Sequence, residues 1–145
     1  MYLQGSPVSA LDQWSVTSAS AGAQTPSASK AAGAATVRHV AKRVIIGAAA
    51  GATVQPAIQV NLRDGATGAG TVLASWQIAL GLITALSGVN CVNIDADNLN
   101  LVGTAATAMT LETTGNLAAN TTGSCTLIGY DLGGARPATL PAYTS

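Results

Sequence analysis

Apolar and polar residues alternate through the middle of the chain in the pattern of β-strands. Between residues 58 and 62 every second residue is apolar, which is the period of a strand with one buried face. The turn signal Asp64-Gly65 and a glycine-rich tip follow, and the alternation then resumes over residues 72–80. The pattern therefore predicts a β-hairpin with Trp76 on its core face.

Shorter segments on both sides of this hairpin also indicate strands. β-Branched residues bounded by glycines predict a strand within residues 37–50. Further along the chain, apolar residues alternate with Asn, Thr or Glu over 99–101 and 109–112, and residues 124–132 form a closing strand. Residues 81–93 are ambiguous and are interpreted as a loop followed by a strand.

Many short strands with no convincing helix predict an all-β fold. We expect an antiparallel β-sandwich over residues 37–132, with either a jelly-roll-like or an Ig-like topology. The segment 133–145 contains two prolines and is expected to be an irregular C-terminal tail. Residues 1–36 are expected to form an extended N-terminal arm outside the sandwich.

The arm is predicted from its composition. Residues 15–36 are almost entirely Ser, Ala, Thr, Gly, Gln and Pro, with one charge at Lys30 and no sustained period. Such a segment alone cannot bury enough apolar surface to offset an ordering entropy of about 1–2 kcal/mol per residue. We therefore expect it to become ordered on a partner. The expected anchors in partner pockets are Tyr2, Leu3, Val8, Leu11, Trp14 and Val16.

The overall composition points to a protein that works inside an assembly. Charged residues make up 8% of the sequence and the formal net charge is zero, whereas roughly 25% of an ordinary soluble domain is charged. So little charge indicates that partners cover much of the surface; the alternative is a soluble domain with a surface rich in Thr, Ser and Asn. With no basic excess, neither nucleic acid nor a membrane is an expected partner. The first residues have no charged segment followed by an apolar one, so no secretion signal is expected.

Few residues could carry catalysis or hold a metal. The single histidine, His39, has no assignable acidic partner and is interpreted as a residue of an interface or strand surface. The acidic residues within 95–100 lack the glycine and closing glutamate of an EF-hand, so an Asx-rich turn is expected instead. Cys91 and Cys125 have no metal-ligand spacing and are expected to be buried free thiols. We predict no enzymatic activity and no cofactor.

The order of the short motifs resembles small virion structural proteins of tailed phages and prophages. The resemblance covers about residues 29–132. Its motifs are Val37-Arg38-His39-Val40, the run from Asn61-Leu62-Arg63-Asp64-Gly65 to Ser75-Trp76, Leu101-Val102-Gly103, Ala108-Met109-Thr110-Leu111-Glu112 and Gly129-Tyr130-Asp131-Leu132. Some proteins of this kind are capsid cement or decoration proteins with β-sandwich folds, and the resemblance implies no catalytic residues.

The expected function is therefore that of a capsid cement protein on the virion surface, made in the host cytoplasm. It would bind the lattice of the major capsid protein and copies of itself, as a trimer or dimer. Deletion of residues 1–36 is expected to abolish capsid binding and leave the domain folded. The alternative is a receptor-binding or fibre module of the tail or head; a virion hydrolase is the third and least favoured hypothesis.

Overall fold

The computed structural model describes residues 13–50, 55–80 and 91–133. Within these ranges the chain forms nine β-strands and no helix, which confirms the all-β prediction. Among the described residues there is accordingly no helix long and apolar enough to cross a membrane. The strands are β1 Gln13–Ser20, β2 Ser27–Lys30, β3 Arg38–Ala49, β4 Gln55–Asp64, β5 Thr71–Leu80, β6 Cys91–Ala96, β7 Leu101–Val102, β8 Met109–Thr113 and β9 Thr122–Leu132.

The strands form two antiparallel sheets. Sheet A has the order β1-β9-β3-β6, with the short β7 also pairing with β3, and sheet B has the order β2-β8-β4-β5. The pairs β1·β9, β2·β8, β3·β6 and β4·β5 are nested, as if one long hairpin had been rolled up. The contacts β9·β3 and β8·β4 then close the roll into two sheets. This is the topology of a jelly roll, which decides between the two sandwich topologies left open by the sequence.

Apolar side chains from facing strands fill the space between the sheets. In β3 every second residue from Val44 to Ala48 is buried, because sheet A turns one face to the core and the other outward. Sheet B contributes Val60 and Leu62 from β4 and Leu111 from β8, all fully buried. Trp76 packs against this core, as the alternation in the hairpin predicted.

Residues 13–30 belong to the sandwich, which corrects the prediction of an arm over residues 1–36. Strand β1 pairs along its whole length with β9, and β2 pairs with β8. The two ladders satisfy the backbone N–H and C=O groups of these segments, so small polar side chains are sufficient for edge strands. The prediction considered the segment alone and therefore missed the backbone pairing that orders it. Residues 1–12 and 134–145 lie outside the described residues.

Candidate functional site

The outer face of sheet A is a continuous surface that crosses four strands. It is formed by the residues that alternate with the core residues of β1, β9, β3 and β6, and the strand registers align them in rows across the sheet. Most of these side chains are small or hydroxylated. The face includes Ser15, Thr17, Ala19, Arg43, Ile45, Gly47, Ala49, Cys91, Asn93, Asp95, Thr122, Ser124, Thr126 and Ile128.

A shallow groove of about 630 Å³ lies at one end of this face. Ala19, Gly47, Asn93 and Ser124 form its central row, with one residue from each of the four strands. A Cβ atom added to Gly47 would lie 3.1 Å from the Ser124 Oγ atom, so a larger residue there would narrow the groove. The groove therefore exists because the sequence places small residues at matching positions on neighbouring strands.

One ion pair supplies the charge of the sheet A outer face. The Arg43 Nε atom donates a hydrogen bond to Asp95 Oδ1 at 2.8 Å across the β3·β6 pair. Hydrogen bonds from Arg43 lower the pKa of Asp95, and the same bonds raise the pKa of Arg43. Both groups therefore stay ionised at neutral pH and neutralise each other. A surface of this kind can be covered by another protein without leaving an unpaired charge, as is typical of interface centres.

A polar cluster around His39 joins four segments at the other end of sheet A. Trp14 Nε1 donates to Asp131 Oδ1 at 2.6 Å, and His39 Nδ1 contacts the same oxygen at 2.7 Å. His39 Nε2 lies 2.8 Å from the carbonyl oxygen of Ala31. The His39 side chain is only 1% exposed, so its prediction as an interface or strand-surface residue is wrong. Its acidic partner lies 92 residues away in the chain, beyond the reach of sequence reasoning.

The hydrogen bonds of His39 make the cluster structural. Both ring nitrogens are engaged within the domain, Nδ1 by the Asp131 carboxylate and Nε2 by the Ala31 carbonyl. In a Ser–His–Asp triad the second nitrogen contacts the nucleophile, whereas here it is occupied by the Ala31 carbonyl. The cluster thus links β1, β3, β9 and the segment after β2, and it offers no base to a substrate.

The structure places two of the predicted partner anchors inside the domain. Trp14 and Val16 lie on β1 and pack against the core. The Trp14 ring covers Gly129, where an added Cβ would lie 2.5 Å from its Cζ2 atom. Their own domain engages both side chains, which corrects the expectation that they are free to enter partner pockets. The other four predicted anchors, Tyr2, Leu3, Val8 and Leu11, lie outside the described residues.

A second polar cluster fastens the β4–β5 hairpin tip onto sheet B. Arg63 Nε donates to Glu112 Oε1 at 2.7 Å, and the Gly68 backbone N–H donates to both carboxylate oxygens at 2.9 and 3.0 Å. Thr110 Oγ1 donates to the Gly65 carbonyl at 2.9 Å. The tip folds back over β8, so all five residues of that strand are buried. Alternation alone had indicated only one buried face for this segment.

The remaining candidate residues are the acidic residues within 95–100 and the two cysteines. Asp95 lies in β6 itself, and residues 97–100 connect β6 to β7. In this connection Asp97 Oδ1 accepts a hydrogen bond from the Asn98 N–H, and Asn98 has a left-handed φ of 56°. Both cysteines are free thiols, as expected. Cys125 is buried, which raises the pKa of its thiol to about 12, but Cys91 is exposed, contrary to the prediction. Cys91 pairs with Ala49 on the outer row, whereas Cys125 pairs with Ile46 on the core row.

Comparisons with known proteins found little that is similar to this chain. No protein-family model matches the sequence, and no curated protein matches it. A solved structure titled "CBM4 structure and function" matches with 11% sequence identity and a TM-score of 0.33, over 83% of this chain and 94% of that chain. A similarity of this size does not bear on ligands or on function.

Proposed function

We propose that the protein is a structural component of a phage virion, a capsid cement protein that binds the major capsid protein lattice and stabilises the head. The observation that carries this proposal is the sheet A outer face, which is broad, built from small side chains and internally charge-neutral. Such a face can lie flat on a neighbouring protein with little desolvation of charge. The ordered motifs that resemble phage virion proteins support the choice of a capsid as the partner.

The way the domain uses its polar residues supports a structural role. Two of the described ionisable clusters, His39–Asp131 and Arg63–Glu112, join separate strands of the fold. Each holds a loop or strand terminus in place, so the domain presents a rigid surface to a partner. Cement proteins act by many modest contacts repeated over a lattice, and such contacts combine into strong binding when the subunit is rigid.

The proposal is tested by adding purified protein back to heads that lack it. The heads come from the encoding phage with this gene deleted, and bound copies per head are counted by quantitative mass spectrometry. Ala19→Glu places a charge in the groove of the sheet A outer face and is expected to weaken binding by about tenfold or more. Gln59→Glu, an exposed position on the outer side of sheet B, is the matched control and should bind like the unmodified chain.

Two outcomes would contradict the proposal. One is that the unmodified protein does not bind to the heads. The other is that both variants bind equally well, which would exclude the sheet A outer face as the contact. A receptor-binding module is the second candidate function, favoured by the groove of about 630 Å³ in the same face. It predicts a few copies at one vertex of the particle, whereas a cement protein covers the whole head.

A further inference from the structure

Among the described strands, β5 forms a long edge of sheet B whose outer side is unpaired. The sheet order β2-β8-β4-β5 places β4 on one side of β5, and within the described ranges no strand pairs with its other side. The strand runs for 10 residues, whereas strands of about 5–6 residues are most common. Its outer edge therefore presents a row of backbone N–H and C=O groups that a further strand could pair with.

The β5 edge lacks the features that keep sheet edges apart. Thr71–Leu80 contains no charged residue, no proline and no glycine. Two of the other edges differ: β2 is only 4 residues long and ends in Lys30, and β6 carries the ion-paired Asp95. The remaining edge, β1, is 8 residues long and also uncharged, and its Ser18 hydroxyl accepts a hydrogen bond from the Ser27 N–H of β2 in the opposite sheet. Natural proteins protect edge strands by such means, and β5 uses none of them beyond one bulge near its start.

The core is incompletely covered along the same edge. On the core face of β5, Ile78 is 1% exposed and Leu80 is 3% exposed. Trp76 lies on the same face but is only partly buried. Val72 pairs with Arg63 beyond the bulge, so it lies on the outer face of the sheet, where it is 43% exposed. The first half of β5 thus leaves apolar surface in water that a neighbouring strand would cover.

We infer that β5 is a self-pairing edge, through which two copies of this chain form an antiparallel dimer and join their B sheets into one continuous sheet. About a two-fold axis each residue near the centre faces a residue of the same segment, so a charge there would meet its own like charge. The absence of charge from β5 removes this repulsion. On the outer face, the Ser75 hydroxyl donates to Asn61 Oδ1 within the chain, whereas the Gln77 amide can bond across the axis.

The first test measures the mass of the full-length protein by sedimentation equilibrium over a dilution series. The unmodified chain is expected to be a dimer that dissociates on dilution. Gln77→Lys places a like charge in each strand near the axis and should raise the dimer Kd by about tenfold or more. Ser15→Lys, at an exposed position of edge strand β1, is the matched control and should leave the Kd unchanged.

Mixing oppositely charged variants separates self-pairing from damage to the fold. Gln77→Lys mixed with Gln77→Glu should form a heterodimer with a Kd close to that of the unmodified chain. If Gln77→Lys were misfolded, adding Gln77→Glu could not restore dimer formation. A monomeric or trimeric unmodified protein, an unchanged Kd in Gln77→Lys, or no recovery in the mixture would each overturn the inference.

Cysteine cross-linking then tests the strand pairing directly. In a Cys91→Ser background, Ser75, Gln77 and Ala79 are replaced by Cys one at a time and oxidised singly and in pairwise mixtures. Opposed residues of an antiparallel pair lie about 4.5–5.5 Å apart between Cα atoms, within disulfide range. Cross-links are expected only in combinations that fit one two-fold register. Cross-links in every combination, or in none, would contradict ordered pairing of β5. Because these tests use purified protein alone, their results do not depend on the proposed binding to a capsid.

Discussion

Removal of Arg63 is expected to destabilise the protein strongly, because it leaves a buried carboxylate without its cation. The Glu112 side chain is 4% exposed and receives hydrogen bonds from Arg63 Nε and from the Gly68 N–H. Arg63→Met retains most of the aliphatic stem but removes the guanidinium. Glu112 then keeps only the backbone donor of the hairpin tip.

The size of the effect follows from burial on both sides of the pair. Breaking a fully buried ion pair by removing one partner costs about 3–5 kcal/mol. Arg63 is 19% exposed, so water can partly replace it, and we expect a loss of about 2–4 kcal/mol in the free energy of unfolding. Glu112→Gln removes the charge itself and should cost less. The double variant should lose at least about 1 kcal/mol less than the sum of the two single losses, because the buried charge is absent.

Urea denaturation followed by circular dichroism measures these differences. The matched control is Arg43→Met, which removes the cation of the exposed pair with Asp95, where the two side chains are 41% and 43% exposed. This substitution should change the unfolding free energy little, because water solvates both groups. If Arg63→Met is no more destabilising than Arg43→Met, burial of the Glu112 carboxylate does not require the Arg63 guanidinium. The Arg63–Glu112 ion pair would then not be what stabilises the hairpin tip on sheet B.

Three further predictions concern the two cysteines and the N-terminal strands. Native protein should show one thiol reactive toward Ellman's reagent, Cys91, and unfolded protein two. Burial raises the pKa of Cys125 from 9.0 to about 12, so the folded state holds this proton more tightly. The stabilisation is complete below pH 9 and is lost between pH 9 and pH 12, by about 1.4 kcal/mol per pH unit. The free energy of unfolding, measured by urea denaturation, should therefore fall more steeply with pH across this range for the unmodified chain than for Cys125→Ala. Equal slopes would contradict the burial of Cys125. Finally, deletion of residues 1–36 removes β1 and β2 and should abolish the cooperative unfolding transition, whereas deletion of residues 1–12 leaves every described strand intact; a folded 37–145 fragment would contradict the topology.

The sequence by itself determined the strand character of the chain and its central hairpin. Alternation depends on which face of a strand is buried, and the turn at Asp64-Gly65 depends on the conformational freedom of glycine. Both are local properties, so they can be read from neighbouring residues. The structure confirmed β4, β5 and the position of Trp76 on the core side.

Only the tertiary structure decided the order of the strands and the hydrogen-bond partners of the polar residues. Residues 13–30 are ordered by backbone pairing with strands far away in the chain. The paired residues are 103–117 positions apart for β1 and β9, and 79–85 positions apart for β2 and β8. The same rolled topology places His39 within hydrogen-bond distance of Asp131, and Glu112 within hydrogen-bond distance of Arg63. Small uncharged residues scattered over four strands become one continuous face only when the registers align them. These features depend on contacts between distant segments, and no local pattern in the sequence encodes them.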